Sequence, residues 1–193
     1  MFKNAIDYEF TQTLEANWQV IKQELEQISQ TDFLDWPEKY LYGGKGWQTF
    51  ALYGFGMQFA KNCKLCPETT KLVKEIPNMV TAGFSLLAAG THIAAHTGYP
   101  DGVLRCHLGL VGCDGCSLRV GDQVQDWHEG KCLVFDDTTE HEAWNRGDRT
   151  RVVLLIDFKM DDGSADIQKI EDAATTSKQG LWQNLKGLLG AKK

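Results

Sequence analysis

Three short β-rich runs, separated by turn residues, fill residues 131–158, KCLVFDDTTEHEAWNRGDRTRVVLLIDF. Four runs of the same kind precede them, and Gly and Asp stand in most of the intervening turns. The seven runs are Ala82–Leu87, Val103–Val111, Ser117–Val120, Gln123–Trp127, Lys131–Phe135, Glu140–Trp144 and Arg151–Phe158. Such spacing is typical of an antiparallel sandwich or small barrel. The sequence therefore predicts a mainly β core with helices in front of it.

The residues before this β-rich part show helical periodicity. Residues 7–30 carry apolar side chains every three or four positions. A second helix is expected to begin at Pro67 and to end at Pro77. An aromatic, glycine-rich loop, Trp36–Trp47, separates the two. We expect one domain over residues 1–160, with a helical part over 1–80 and the β core over 81–160.

The tail has a different character. Residues 161–193 are expected to form a polar linker and then a short amphipathic helix. The apolar face of that helix consists of Leu181, Trp182, Leu185, Leu188 and Leu189. One interpretation is peripheral membrane or partner contact through residues 181–193. The other is a helix that packs on its own domain or frays.

Composition and charge exclude several classes of protein. The chain has 193 residues, of which 42% are hydrophobic, and 20 Lys and Arg against 26 Asp and Glu give a net charge of −6. An acidic chain without a basic block is a poor binder of nucleic acid, because neutralisation of phosphates drives such binding. No run approaches the roughly 18–20 apolar residues of a membrane span, and Asp7 and Glu9 interrupt what would be the apolar part of a signal peptide. We expect a cytoplasmic protein without a transmembrane segment.

Six cysteines include two pairs with metal-ligand spacing, Cys63-x-x-Cys66 and Cys113-x-x-Cys116. The interval between the pairs is much longer than the roughly 15–20 residues of a compact zinc ribbon. A structural zinc, a disulfide within either pair and plain reduced thiols all remain open, and reduced thiols are favoured. Cys106 and Cys132 lie in strand patterns and are expected to fill the core.

His96 and His141 are the first candidates for chemistry. They lie far apart in sequence, each in a β-rich segment beside turn residues. Two imidazoles on neighbouring strands can hold a divalent metal such as Fe(II) or Zn(II). Either ring could instead be an ordinary, partly buried histidine with a satisfied hydrogen bond.

Three further polar residues lie in apolar strand patterns. Arg105 and His107 are two positions apart, so their side chains point to the same face of one strand. Arg151 opens the last apolar strand, where a guanidinium suits a bidentate contact with a carboxylate. Its alternative is a surface ion pair with Asp148 or Asp157.

Five motifs then follow one another over about residues 66–158. They are FSLLAAGTHIAAHTG at 84–98, LRCHLGL at 104–110, WHEGKCLVFDD at 127–137, EHEAW at 140–144 and TRVV at 150–153. In order and spacing they resemble the aspartyl/asparaginyl β-hydroxylase family. The resemblance implies a double-stranded β-helix (a jelly-roll, cupin-like core) and a dioxygenase that uses Fe(II), 2-oxoglutarate and O2 to hydroxylate an unactivated C–H bond.

The resemblance also implies the metal ligands. By position, His96 and His141 are the two iron-binding histidines, and His92 is a weaker competitor for the first of these places. Most non-haem iron oxygenases add a carboxylate ligand, but Gly98 stands where it is expected, and this family is known to lack it. Asp137 is then expected to hold a water in the vacant position. Asp136, Asp101 and Glu142 are less favoured candidates for the same role. The alternative interpretation of Asp136 and Asp137 is that their carboxylates stabilise the turn at the end of the strand.

Four other residues correspond by position to co-substrate contacts of the family. Arg151 and Ser85 match the residues that bind the distal carboxylate of 2-oxoglutarate. Arg105 and His107 match the pair that lies against the carboxylate nearer the metal. A dicarboxylate needs cationic or donor groups at both of its ends, which agrees with these residue types.

The favoured substrate is an Asp or Asn side chain of a peptide, because the family name suggests hydroxylation at the β-carbon of these residues. The alternative is a lipid acyl chain, since relatives in the family hydroxylate acyl chains of lipid A, but those relatives are membrane-bound and no membrane span is predicted here. A non-catalytic β-sandwich binding module and a zinc-structured interaction domain are the alternatives from other classes. Bound metal distinguishes them: iron for the enzyme, none for the module and thiolate-held zinc for the interaction domain.

Overall fold

Twelve strands and four α-helices make up the described part of this computed structural model, residues 1–54, 56–98 and 103–159. The helices are α1 (Glu9–Ala16), α2 (Trp18–Leu25), α3 (Ala60–Leu65) and α4 (Pro67–Lys74). The strands are β1 (Phe2–Lys3), β2 (Leu34–Asp35), β3 (Trp47–Gly54), β4 (Met57–Gln58), β5 (Met79–Leu87), β6 (His92–His96), β7 (Val103–Val111), β8 (Cys116–Val120), β9 (Gln123–Asp126), β10 (Cys132–Asp136), β11 (His141–Asn145) and β12 (Arg151–Lys159). The mainly β prediction with N-terminal helices is confirmed. The linker and helix predicted over 161–193 lie outside the described residues.

The helix predicted over residues 7–30 is in fact two short helices. Leu14 of α1 and Ile21 of α2 are buried, in agreement with the apolar periodicity. The break falls at Asn17, whose side-chain Nδ2 donates to the carbonyl oxygen of Thr13 at 2.8 Å. Side-chain bonds of this kind compete with the helical backbone and favour a helix end.

Helix α4 begins at Pro67, where the sequence predicts it. Glu24 of α2 reaches its first turn and accepts hydrogen bonds from the backbone N–H groups of Glu68 and Thr69, each at 2.8 Å. The Thr69 hydroxyl adds a third bond at 2.6 Å. A carboxylate at a helix N-terminus satisfies unpaired N–H groups and the helix dipole, so this contact ties α2 to α4.

Two antiparallel sheets form the core of the fold. The major sheet has the order β1-β10-β7-β12-β5-β3-β2, with β4 paired to β3, and the minor sheet has the order β6-β11-β8-β9. Apolar side chains from both sheets form one buried cluster, which includes Leu118 and Val120 of the minor sheet and Leu155 of the major sheet. The two sheets therefore face each other as a double-stranded β-helix.

Strand β3 is absent from the sequence-based prediction, which places its first residue in the aromatic loop. The reason is its burial on both faces: Trp47 belongs to the cluster between the sheets, whereas Phe50 and Leu52 belong to the cluster under the helices. A register irregularity between Ala51 and Tyr53 also disturbs the alternation. Without a regular apolar–polar period, the strand has no clear sequence signature.

The alternation along β12 shows how the major sheet separates its two faces. Leu154 and Ile156 pack with the helices, together with Ile21 of α2. Val153 and Leu155 point the other way, into the space between the sheets. Because side chains alternate along a strand, the odd-numbered positions of β12, including Arg151 and Asp157, lie on this inner face.

Candidate active site

Two histidine rings lie side by side on neighbouring strands of the minor sheet. His96 of β6 is the cross-strand partner of His141 of β11, and their ring centroids are 4.3 Å apart. The Nδ1 atom of each ring is 2.8 Å from the backbone carbonyl oxygen two residues earlier, that of Ala94 or Thr139. Because a carbonyl oxygen only accepts, Nδ1 carries the proton and Nε2 keeps a lone pair. This is the usual arrangement of metal-binding imidazoles.

Burial keeps the His141 ring neutral. Desolvation lowers the pKa of His141 to about 3, against a raising effect of the hydrogen bond to Thr139 and smaller lowering effects of His96 and Arg105. A metal binds the neutral imidazole, so competition with protons weakens binding only well below neutral pH. The ring is therefore ready to act as a ligand at neutral pH.

The carboxylate of Asp137 lies beside this pair, in the turn that follows β10. It is fully buried, and its Oδ1 is 3.4 Å from Nε2 of His141. The backbone N–H of Gly98 donates to the carbonyl oxygen of Asp137 at 2.8 Å. A Cβ atom on Gly98 would overlap Oδ2 of Asp137. Asp137 thus fills the space that a carboxylate side chain at position 98 would need.

The donor set fits a divalent ion of intermediate softness. Two neutral imidazoles suit Fe(II), and a nearby carboxylate favours a cation. An ion held by His96 and His141 would keep several coordination positions for small ligands. In the part of the chain that the structure describes, no three His, Cys, Asp or Glu side chains form a metal-binding group.

A buried cation lies at one end of the space between the sheets. Arg151 is 2% exposed and its guanidinium lies over the ring of Trp127, 4.5 Å from the centroid. Burial lowers the pKa of Arg151 to about 10, so the side chain still carries its charge at neutral pH. Its Nε has no hydrogen-bond partner among the described residues.

Ser85 lies on the inner face of β5, close to the same end. The next residue but one, Leu87, is the cross-strand partner of Arg151. The Ser85 Oγ accepts a hydrogen bond from Nε1 of Trp47 at 3.1 Å, so its own proton is available to another acceptor. The structure thus brings Ser85 and Arg151 together on adjacent strands.

His107 adds more unsatisfied polar atoms to this space. Neither ring nitrogen of His107 nor Nε1 of Trp127 has a hydrogen-bond partner within the described ranges. Desolvation, helped by Arg151 and Arg105, lowers the pKa of His107 well below its usual value. An unsatisfied buried polar atom costs about 1–3 kcal/mol. These donors beside a buried cation therefore fit an anionic ligand that bonds to them.

Arg105 shares the inner face of β7 with His107, as the two-residue spacing predicts. Its guanidinium is also occupied by protein carboxylates: Nη1 is 2.7 Å from Oδ1 of Asp137, and Nε is 2.7 Å from Oδ1 of Asp157. Asp157 therefore pairs with Arg105 and not with Arg151, the partner that the sequence suggests for it as an alternative.

His92 lies outside this arrangement. Its ring stacks on Trp144 at 5.3 Å, and its Nε2 is 2.9 Å from Glu142. Glu142 is also bound to Arg119. Neither His92 nor Glu142 has a place beside the His96–His141 pair.

Asp136 and Asp101 are the remaining alternatives to Asp137 as the carboxylate beside the metal position. Asp136 caps a turn, since its Oδ1 accepts from the backbone N–H of Thr138 at 3.0 Å and from the Thr138 hydroxyl at 2.7 Å. Turn chemistry thus accounts for Asp136 and not for Asp137. Asp101 lies outside the described residues.

The cysteines are all buried free thiols, namely Cys63, Cys66, Cys106, Cys113, Cys116 and Cys132. Desolvation raises the pKa of Cys66 and of Cys113 to about 12. A thiol with such a pKa is protonated at neutral pH, which weakens it both as a nucleophile and as a zinc ligand. This favours the interpretation of both pairs as reduced thiols.

Three residues of the site have no assigned place in the predicted site: Trp47, which the sequence places in the aromatic loop, Trp127, and Asp157, which the sequence offers only as a surface partner of Arg151. Trp47 contacts Ser85 and lies 6.5 Å, centroid to centroid, from His96. Trp47 and Trp127 lie in stretches of sequence that are equally typical of the hydrophobic core, so the sequence does not mark them as site residues. Asp157 has one available signal, because a carboxylate inside the apolar run RVVLLIDF needs a buried partner.

Sequence comparison identifies the relatives of this site. The family model for aspartyl/asparaginyl β-hydroxylase matches residues 15–161. The chain belongs to this family. The match includes both histidines, Asp137 and the residues around Arg151, so the whole candidate site lies within the region that defines the aspartyl/asparaginyl β-hydroxylase family.

Two relatives of different description are similar to this hydroxylase-family chain. An ornithine lipid ester-linked acyl 2-hydroxylase from Rhizobium tropici is 51% identical over 115 residues, which are 58% of this chain and 41% of the relative. The human aspartyl/asparaginyl β-hydroxylase is 35% identical over 159 residues, which are 77% of this chain and 21% of the human protein. The chain thus spans less than half of the length of either relative.

The fold also has solved counterparts. A 2OG-Fe(II) oxygenase-family oxidoreductase from Burkholderia pseudomallei superimposes with a TM-score of 0.52 at 10% identity, over 72% of this chain and 76% of that chain. At such low identity the likeness shows the fold alone. Within the described residues, no helix combines the length and the hydropathy that a membrane-spanning segment needs.

Proposed function

We propose that this member of the family is an Fe(II)- and 2-oxoglutarate-dependent dioxygenase that hydroxylates an unactivated C–H bond. The observation that carries the proposal is the His96–His141 pair, with both Nε2 lone pairs available beside the buried Asp137 carboxylate. The unsatisfied donors around Arg151 support it, because they suit a dicarboxylate.

His96 and His141 would hold the iron. When bound, iron and 2-oxoglutarate supply the oxidising chemistry, in which O2 converts the co-substrate to succinate and CO2 and one oxygen atom enters the substrate C–H bond. Asp137 accepts a hydrogen bond from a water next to His141 and keeps that water oriented.

The co-substrate contacts follow from the donors on the inner face. Arg151 and Ser85 would bind the distal carboxylate of 2-oxoglutarate, with a charge-assisted pair and a hydroxyl hydrogen bond. His107 and Arg105 would lie against the carboxylate nearer the iron. Apolar side chains on the same face, including Phe135 and Leu155, exclude water from the reacting atoms.

For the substrate, the identities favour an ester-linked acyl chain of a lipid. The relative named for acyl 2-hydroxylation is 51% identical, against 35% for the relative named for aspartyl and asparaginyl residues. The second candidate is an Asp or Asn side chain of a peptide, because the aspartyl/asparaginyl relative aligns over more of the chain, 77% against 58%.

The proposal is tested by anaerobic titration of the metal-free protein with Fe(II) and 2-oxoglutarate. We expect a weak visible charge-transfer band from the chelate, and succinate when oxygen is admitted. His141→Ala should lose both and keep the fold, whereas the exposed His92→Ala should keep both. Absence of the band and of succinate in the wild type would favour a binding module instead.

The substrate class is tested separately with the active enzyme. Ornithine lipid and peptides that contain Asp or Asn are each supplied with 2-oxoglutarate, and the products are analysed by mass spectrometry. A gain of one oxygen on the acyl chain, with succinate formed in equal amount, supports the first candidate. The same gain on the peptide alone supports the second.

A further inference from the structure

A chain of polar contacts lies behind Asp137, on the side away from the histidines. The buried guanidinium of Arg105 stands between two buried carboxylates, those of Asp137 and Asp157. The contact with Asp157 has two hydrogen bonds: Nε donates to Oδ1 at 2.7 Å and Nη2 donates to Oδ2 at 3.1 Å. A bidentate pair fixes the plane of the guanidinium as well as its position.

Thr81 adds one residue to this series of polar contacts. Its hydroxyl donates to Oδ2 of Asp157. Asp157 is the cross-strand partner of both Thr81 on β5 and Arg105 on β7. Three adjacent strands of the major sheet thus hold Thr81, Asp157 and Arg105 in fixed register, and Arg105 connects them to Asp137 in the turn after β10.

The residues in this series of polar contacts indicate a role beyond the neutralisation of one buried charge. A single carboxylate would be enough to pair with the buried arginine, yet Arg105 contacts two, one of which lies next to His141. Burial of an additional charge is costly. Negative charge at this point does, however, favour a divalent cation held by two neutral imidazoles.

We propose that Asp157 and Thr81 are positioning residues, which fix the Arg105 guanidinium so that it holds the Asp137 carboxylate in place beside the metal position. The inference rests on the proposed function and deepens it, since neither residue corresponds to a ligand of iron or of 2-oxoglutarate. Asp157 acts through Arg105, and Thr81 acts through Asp157. The merely structural alternative is a buried ion pair that stabilises the sheet and does not affect the metal.

The experiment compares Thr81→Val, which removes the hydroxyl and keeps the β-branched shape, with Thr81→Ser, which keeps the hydroxyl. Mn(II) binding is measured on the full chain by the electron paramagnetic resonance signal of free Mn(II), so that no turnover is needed. Partners around a metal site change affinity by about 10–100-fold when they are removed directly. For Thr81, which acts through two intermediaries, we expect a two- to fivefold weaker affinity in Thr81→Val and wild-type affinity in Thr81→Ser.

The variant Asp157→Asn tests the next residue in this series of polar contacts. It keeps the size of the side chain and removes the charge, and we expect Mn(II) affinity to fall at least tenfold. Thermal unfolding of the metal-free variants reports any separate loss of stability.

The outcomes are distinct. Wild-type Mn(II) affinity in Thr81→Val and in folded Asp157→Asn would overturn the inference, and so would a lowered unfolding temperature with unchanged affinity of the folded protein. If Asp157→Asn does not fold, the Thr81 pair decides alone. If the wild type binds neither Mn(II) nor Fe(II), the proposed function fails first and the positioning role fails with it.

Discussion

Gly98 is the residue of the site at which an added side-chain atom has the least space. The space beside its Cα is taken by the Asp137 carboxylate, which Arg105 holds from the other side. A methyl group there must displace either that buried carboxylate or the backbone that carries it.

Gly98→Ala is therefore expected to lower turnover at least tenfold and to lower the free energy of unfolding by about 1–3 kcal/mol. Succinate formation and urea denaturation measure the two effects. Gly54→Ala is the control, because a Cβ at Gly54 meets only an ordinary contact at 3.6 Å with Phe59. Normal turnover in Gly98→Ala would show that Asp137 does not occupy this space in the working enzyme.

Arg151 gives a second prediction at the residue scale. Arg151→Ala removes the buried cation assigned to the distal carboxylate, and loss of such a contact costs on the order of 2–4 kcal/mol. The KM for 2-oxoglutarate should therefore rise by roughly 30- to 1000-fold. Arg149→Ala, which removes an exposed ion pair with Asp114, should leave this KM unchanged. An unaltered KM in Arg151→Ala would place the co-substrate elsewhere.

At the scale of elements, the helices support the site without taking part in it. α1, α2 and α4 cover the outer face of the major sheet, through residues such as Leu14, Ile21 and Val73. The candidate catalytic side chains lie on the other side of this sheet, toward the space between the two sheets. A change confined to the helices should thus affect stability and not chemistry.

Glu24 provides the test of this separation. Glu24→Ala removes three hydrogen bonds at the start of α4 and should lower the free energy of unfolding by about 1–2 kcal/mol. Turnover per folded molecule should not change. Urea denaturation and succinate assays check both points, and Glu26→Ala, an exposed neighbour, is the control. A loss of turnover in folded Glu24→Ala would mean that the helices influence the inner face.

The register between strands is what assembles the site from separate elements. His96 and His141 meet because β6 and β11 pair at those positions. Arg105 meets Asp157 because β7 and β12 pair there. A shift of one residue in either pairing would turn these side chains to the opposite face.

At the scale of the whole molecule, the site imposes a pH dependence on folding. Burial lowers the pKa of His107 well below its usual value, and that of His141 to about 3. As the pH falls below about 6.5, the unfolded chain takes up protons that the folded protein does not, so the folded state loses stability. Above this pH both histidines are neutral in the folded and the unfolded chain, and their contribution is fully present.

The free energy of unfolding of the metal-free protein should therefore decrease from about pH 6.5 toward pH 4, by up to about 1.4 kcal/mol per pH unit for each such histidine. His107→Gln removes one of these groups and should flatten the decrease by up to that amount. Urea denaturation at several pH values measures it. Parallel curves for wild type and His107→Gln would contradict the assigned burial effect.

Much of the architecture is readable from local sequence. Apolar runs bounded by Gly and Asp predict seven of the eight strands from β5 to β12 and miss only β6, the short strand that carries His96. Pro67 predicts the start of α4. The two-residue period places Arg105 and His107 on one face, because that period belongs to a single strand and needs no partner. The family motifs identify His96, His141 and Asp137 as candidates, and each motif is a short stretch of sequence.

Other features depend on residues that are distant in the chain. β3 is buried on both faces, so it lacks the alternation that marks a half-exposed strand. Trp47 meets Ser85, and Thr81 meets Asp157, across 38 and 76 residues respectively. Such pairings follow from the register of the sheet, in which each strand is positioned by the packing of both sheets together. Local periodicity thus decides which face of a strand a residue occupies, and only the packed sheets decide which residue it meets there.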